Sequence, residues 1–232
     1  MKKVSLLACL MLLPTFAFAE EKAADVKKEE KNTLILNIRR IGVDLSQTTV
    51  SNAEEYADSP IQALKASSQE YLKGVADVVL KYRADELKWD NSVFMEYGRT
   101  KLKPYDEDPT TNENADKILL SSDFYYACWD AYGFKFGPMA RAQYETEFTS
   151  NGGVPRQNVV RMNGGISLFD HKIIKSLYLT AVYEYDFTYS DDQVNKYAAE
   201  LGWRLEYQIR DGVKASTNGY YREYLGYSTY IG

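Results

Sequence analysis

Residues 197–209 read YAAELGWRLEYQI, and this stretch decides the fold class. Taken in twos, Tyr197, Ala199, Leu201, Trp203, Leu205, Tyr207 and Ile209 fall on one side, and Ala198, Glu200, Gly202, Arg204, Glu206 and Gln208 on the other. Strict alternation of apolar and polar residues is the signature of a β-strand with two unlike faces. A typical strand of a soluble sandwich has only ~5 or 6 residues. A strand that keeps one face apolar for this long instead fits a bilayer, which a tilted strand crosses in ~9 to 11 residues.

The same alternation recurs outward in both directions. It is strong in 134–148 and 177–187, and weaker in 34–47, 71–84, 89–102, 117–129, 159–169 and 213–225. Nine strands are therefore expected. Their connections alternate in length, with short turns at 86–88, 130–132, 170–172 and 210–212 and longer polar links at 48–68, 103–116, 149–158 and 188–195. Short periplasmic turns opposite longer external loops are the habit of outer-membrane barrels. The fold expected is all-β, an antiparallel up-and-down transmembrane β-barrel over residues 33–232. Nine is an odd number of strands, and the chain ends in Gly232 rather than in an aromatic residue. Because single-chain bacterial barrels have even strand numbers, the expectation is ten to twelve strands in all and a barrel truncated at its C-terminus.

Residues 1–19 have the layout of a secretory signal peptide, with Lys2 and Lys3, an apolar run over 4–18, and Ala17-Phe18-Ala19 ahead of cleavage before Glu20. Leu7-Ala8-Cys9 has too little apolar sequence before it for a lipoprotein signal. Residues 20–32 read as a charged periplasmic tether, nine of the twelve between 20 and 31 being ionisable. Cleavage leaves 26 basic against 33 acidic residues, a formal −7, which speaks against a nucleic-acid partner. Cys128 becomes the single cysteine, so no disulfide within the chain can staple the fold. Beyond the signal no apolar run is long enough for a spanning helix, so a membrane form must satisfy its backbone as a closed barrel. The 20 tyrosines carry an apolar ring with a polar tip, which suits a membrane interface.

Three further stretches carry a resemblance: 42–52 (GVDLSQTTVSN), 88–98 (KWDNSVFMEYG) and 115–126 (ADKILLSSDFYY). Together they resemble a family of bacterial outer-membrane barrel proteins whose defining domain has no assigned function. The matching positions are Ser46 and Gln47, then Trp89, Asp90, Asn91, Tyr97 and Gly98, then Asp116. Ala53 departs from the family, which commonly has Trp after the Ser-Asn pair that is Ser51-Asn52 here. The resemblance implies a barrel and says little about activity.

Few residues offer chemistry. His171, the only histidine, lies between Asp170 and Lys172 in an expected turn, a poor place for the base of a Ser-His-acid hydrolase. One histidine and one mature cysteine cannot build a common transition-metal site. The acidic loop with Asp106, Glu107, Asp108 and Glu113 matches no calcium-loop spacing. Cys128 alternates with Phe124 and Tyr126 and is expected to face lipid as a small apolar residue. The polar faces hold more promise: Lys73, Asp77, Lys81, Arg83, Glu96, Arg99, Arg141, Glu145, Glu147, Arg161, Glu184, Asp186, Glu200, Arg204 and Glu206 are expected to line a lumen. Such a lining either holds water and passes small polar solutes or closes itself by cross-strand ion pairs. The pairs Glu145 with Glu147 and Glu184 with Asp186 each share a face as catalytic carboxylates would, but nearby arginines make them salt-bridge partners. Trp89, Tyr97, Tyr125, Trp129, Tyr132, Tyr189 and Trp203, near strand ends, are expected to form interfacial girdles.

The expected function is that of a non-enzymatic outer-membrane barrel, a small-solute channel or a structural and surface protein, in contact with outer-membrane lipid and without cofactor. Two alternatives differ in kind. One is a lipid-acting enzyme on the same scaffold. The other is a soluble periplasmic barrel holding an apolar ligand, which needs the Leu and Tyr faces inward and the charged faces outward.

Overall fold

The computed structural model describes residues 32–105, 108–150 and 153–228. The expected signal peptide and nearly all of the tether lie outside these residues, as do Asp106 and Glu107 of the acidic loop.

The fold is all-β. Ten antiparallel strands form one sheet: β1 (Thr33–Thr49), β2 (Ala66–Arg83), β3 (Leu87–Pro104), β4 (Thr110–Tyr126), β5 (Trp129–Ala131), β6 (Phe134–Thr146), β7 (Asn158–Phe169), β8 (Ile174–Asp186), β9 (Val194–Arg210) and β10 (Val213–Tyr227). The order β1-β2-β3-β4-β6-β7-β8-β9-β10 runs up and down in chain order, and β5 pairs with β6 beside that path. A 3-10 turn (Ala53–Tyr56) and a four-residue helical turn (Gln62–Lys65) interrupt the link between β1 and β2. No helix among the described residues is long and apolar enough to cross a membrane.

All nine expected strands are present, and most are longer than the alternation suggested. The expected long link 103–116 shrinks to 105–109, because β3 and β4 continue as a ladder through Lys101–Pro104 and Thr110–Asn114. The tenth strand, β5, lies where a plain turn was expected at 130–132. Tyr132 and Gly133, with φ of 55° and 73°, make a two-residue turn between Trp129–Ala131 and Phe134–Phe136. Two successive residues of positive φ give the turn whose twist suits a hairpin.

The chain divides into two compact units. One contains residues 39–77 and 94–117; the other contains 32–38, 78–93 and 118–228. In the second unit the register aligns whole rows of side chains. Pro138, Ile166, Leu179, Leu201 and Tyr221 are successive partners from β6 to β10, all exposed. Next to them, and on the opposite face, run Met139, Gly165, Thr180, Glu200 and Arg222.

Along these strands large apolar side chains stand exposed on one face while carboxylates are covered on the other. Leu179 is 54% and Leu201 44% exposed, whereas Glu184 is 2% and Glu200 1% exposed. The face that carries the charges is the covered one. Its apolar residues include Val159, Val182, Val194 and Ala198, together with a cluster of Tyr125, Met139, Phe169 and Tyr178 near the short-turn end of the strands. Tyr125 is thus not a girdle residue: it shares the phase of Asp123, points to the charged side and sets its ring 5.5 Å from that of Phe169. Arg99, three residues from Glu96, falls in the opposite phase and is exposed.

Candidate functional site

The charged face of β4 and β6–β10 holds one connected network. Each member is placed there by strand alternation, and register decides which members meet. Arg161 on β7 is aligned with Glu184 on β8, and Glu184 with Lys196 on β9. Arg161 Nε donates to Glu184 at 2.5 Å and its other arm pairs with Glu145 of β6, while Lys196 Nζ reaches Glu184 at 3.0 Å and Asp186 at 3.4 Å.

Glu200 is the second hub. Its Oε2 accepts from Arg222 Nε at 2.8 Å and Nη2 at 2.5 Å. Its Oε1 accepts from the Tyr178 hydroxyl at 2.9 Å and from Asn163 Nδ2 at 3.3 Å, and lies 3.5 Å from Arg141 Nη1. Arg141 in turn makes two bonds to Asp123, at 2.6 and 3.3 Å, and donates to the Tyr178 hydroxyl at 2.9 Å. Arg222 also lies 3.5 Å from Glu184, and Tyr224 donates to the same carboxylate at 3.2 Å, so the two hubs are joined.

Several of these contacts skip strands. Arg141 on β6 and Glu200 on β9 have β7 and β8 between them. Neighbouring strands lie ~4.8 Å apart, so in a flat sheet these two backbones would stand about 14 Å from each other. Their contact means that the sheet of this unit is curled towards its charged face. At the short-turn end the same holds for Lys88 on β3, 3.2 Å from Asp170 just after β7 and over the rings of Tyr125 and Phe169.

A glycine makes the centre possible. Gly202 is aligned with Tyr178, whose ring lies where a side chain on residue 202 would stand; a Cβ there would collide with the ring. The bare backbone lets the tyrosine lie flat across β9 and deliver its hydroxyl to Glu200 and Arg141.

The other residues expected in a lumen are placed as follows. Lys73 meets Glu96 at 2.7 Å and Asp77 lies 3.8 Å from Arg39, both within the first unit. Lys81 is half-buried in β2. Glu147 accepts from the Gln157 backbone at 2.9 Å and so pins the β6–β7 loop. Glu206 pairs with Arg204 at 2.8 Å and Lys214 at 2.6 Å near the β9–β10 turn. Arg83 meets Asp90 at 2.5 Å.

Sequence reading missed Asp123, Lys196 and Arg222. Phase alone marks Asp123, since Phe124 and Tyr126 had already been placed on the opposite face. Lys196 directly precedes the alternating stretch 197–209, and Arg222 sits on β10, which has polar residues on both sides of its alternation.

Of the two carboxylate pairs, Glu145 meets Arg161, Glu184 meets Arg161 and Lys196, and Asp186 meets Lys196. His171 accepts two backbone N–H bonds through Nδ1, from Ile173 at 3.2 Å and Ile174 at 3.3 Å. No group of three or more His, Cys, Asp or Glu among the described residues is arranged to hold a metal. Cys128 is exposed and unpaired with sulfur.

A family model described as "Protein of unknown function (DUF3078)" matches residues 66–151. Two of the three stretches that carried the resemblance, 88–98 and 115–126, lie inside that match, and 42–52 lies before it. No curated protein and no solved structure matches the chain.

Proposed function

We propose that this chain is a secreted, non-enzymatic outer-membrane β-barrel whose apolar face meets lipid and whose charged face fills the interior, giving it a structural or surface role. One observation carries the reading: the inverted burial, with Leu179 and Leu201 exposed against Glu184 and Glu200 covered. Exposed apolar patches beyond a few hundred Å² mark a surface that meets a membrane or partner. Rows of such residues on five adjacent strands form a patch of that kind. The soluble ligand-binding alternative needs the opposite orientation.

Dimensions support a bilayer. On β6 the outward aromatic residues Phe136 and Tyr144 bracket Pro138, Ala140 and Ala142. At ~3.4 Å per residue they are about 27 Å apart along the strand, or about 21 Å in height at ~40° of tilt, near the ~25 Å apolar band of outer-membrane barrels. At the short-turn end of the outward face Trp129 packs against Phe136 at 5.4 Å, where interfacial aromatic residues belong.

The interior of the second unit supports a filled barrel over an open pore. Its charges are paired with one another, and the cluster of Tyr125, Met139, Phe169 and Tyr178 lies beside them. A small-solute channel is the second reading, favoured by the presence of both signs of charge on this face. The test is to fold the mature protein into phospholipid vesicles and then record planar-bilayer conductance. Membrane insertion with electrical silence is expected; discrete current steps would select the channel. A mature protein that stays folded and soluble without detergent would overturn both.

A further inference from the structure

The hairpin of β5 and β6 has an outward cleft. Trp129, Tyr132, Phe134, Phe136 and Leu168 line about 240 Å³. Every lining side chain is aromatic or aliphatic, and Trp129 and Tyr132 are 62% and 97% exposed. Trp129 and Phe136 lean on each other at 5.4 Å, so the walls are braced. Along β7 the cleft runs into the exposed apolar face through Leu168 and Ile166.

Its rim is polar in a particular way. The imidazole of His171 stacks on Phe134 at 4.0 Å and 11°. Its Nδ1 is occupied by the N–H groups of Ile173 and Ile174. In the neutral ring the proton therefore sits on Nε2, as a donor at the edge of the cleft. Lys172 is exposed next to it. The adjoining carboxylate, Asp170, is engaged by Lys88 at 3.2 Å and lies 4.0 Å from Lys135, which leaves this edge without a free negative charge from that residue.

From an apolar cleft that opens on a donor and a cation we infer that the β5–β6 hairpin and the β7–β8 turn form a site for one membrane phospholipid. An acyl chain lies among Trp129, Phe136 and Leu168, and the headgroup phosphate accepts from His171 Nε2 and meets Lys172. The inference rests on the proposed membrane placement of the outward face.

The experiment is native mass spectrometry of the mature protein folded in vesicles of phosphatidylethanolamine and phosphatidylglycerol, then extracted into mild detergent. The wild type is expected to retain one phospholipid. Leu168→Trp, which fills the cleft, and His171→Ala combined with Lys172→Ala, which removes the donor and the cation together, should each lower occupancy at least fivefold. Leu201→Trp, elsewhere on the same face, should leave it unchanged. A wild type that inserts but retains no lipid, or equal retention in the turn variant, overturns the site and leaves the barrel reading standing. A wild type that fails to insert overturns both.

Discussion

Arg141 on β6 and Glu200 on β9 lie 3.5 Å apart although two strands separate them in the sheet. Their contact reports curvature, and it places a carboxylate that is 1% exposed within reach of two guanidinium groups, since Arg222 holds the other oxygen. Removing Glu200 takes from Arg222 its nearest carboxylate and leaves Arg141 to Asp123 alone.

Glu200→Ala should therefore destabilise the folded protein by about 3 to 5 kcal/mol, the usual cost of orphaning a buried ion partner. Arg204→Ala, whose side chain is 52% exposed beside Glu206, should cost less than about 1 kcal/mol. Urea unfolding of the vesicle-folded variants, followed by tryptophan fluorescence, measures both. Equal losses would show that Glu200 is not a hub.

Gly202→Ala should drive a methyl group into the Tyr178 ring and cost about 1 to 3 kcal/mol, as overpacking does. In the background of Tyr178→Ala that penalty should disappear. The double-mutant cycle is the measurement, and an unchanged penalty without the ring would contradict the packing described.

Much of this could be read from the sequence, for a specific reason. The period-two pattern of 197–209 reports which side chains share a face, and a strand has only two faces, so the alternation alone groups Glu200, Arg204 and Glu206. Register is a different matter. Nothing in the order of residues says that Glu200 opposes Arg222 or that Tyr178 opposes Gly202, because pairing depends on where each turn closes. The turn at 130–132 concealed a further strand, since Trp129–Ala131 is too short to display a period.

Leu201→Arg, in the middle of the outward row, should cost about 2 to 4 kcal/mol in a bilayer, whereas Tyr207→Arg, nearer the β9–β10 turn, should cost about 0 to 1 kcal/mol. Both side chains are exposed, so a soluble protein would tolerate the two changes alike. Denaturant titration of vesicle-folded protein distinguishes these outcomes.

The proposal that the first nineteen residues direct export predicts a mature chain beginning at Glu20. Intact-mass measurement of protein from an outer-membrane fraction checks this, and Ala19→Lys should leave the precursor uncut. Recovery of uncut wild-type chain from the cytoplasm would remove the basis for secretion.

The most direct test of the central claim compares two neighbours on β8, Leu179 and Thr180, which are 54% and 3% exposed. Single cysteines at these positions, in a Cys128→Ser background, are spin-labelled and the protein is folded into vesicles. Collision with oxygen, which concentrates in lipid, is then compared with collision with a water-soluble nickel chelate. The account predicts high oxygen access and little chelate access at residue 179, and low access of both at residue 180. A label at residue 179 that meets the chelate as freely as it meets oxygen would contradict it, because the apolar face would then stand in water.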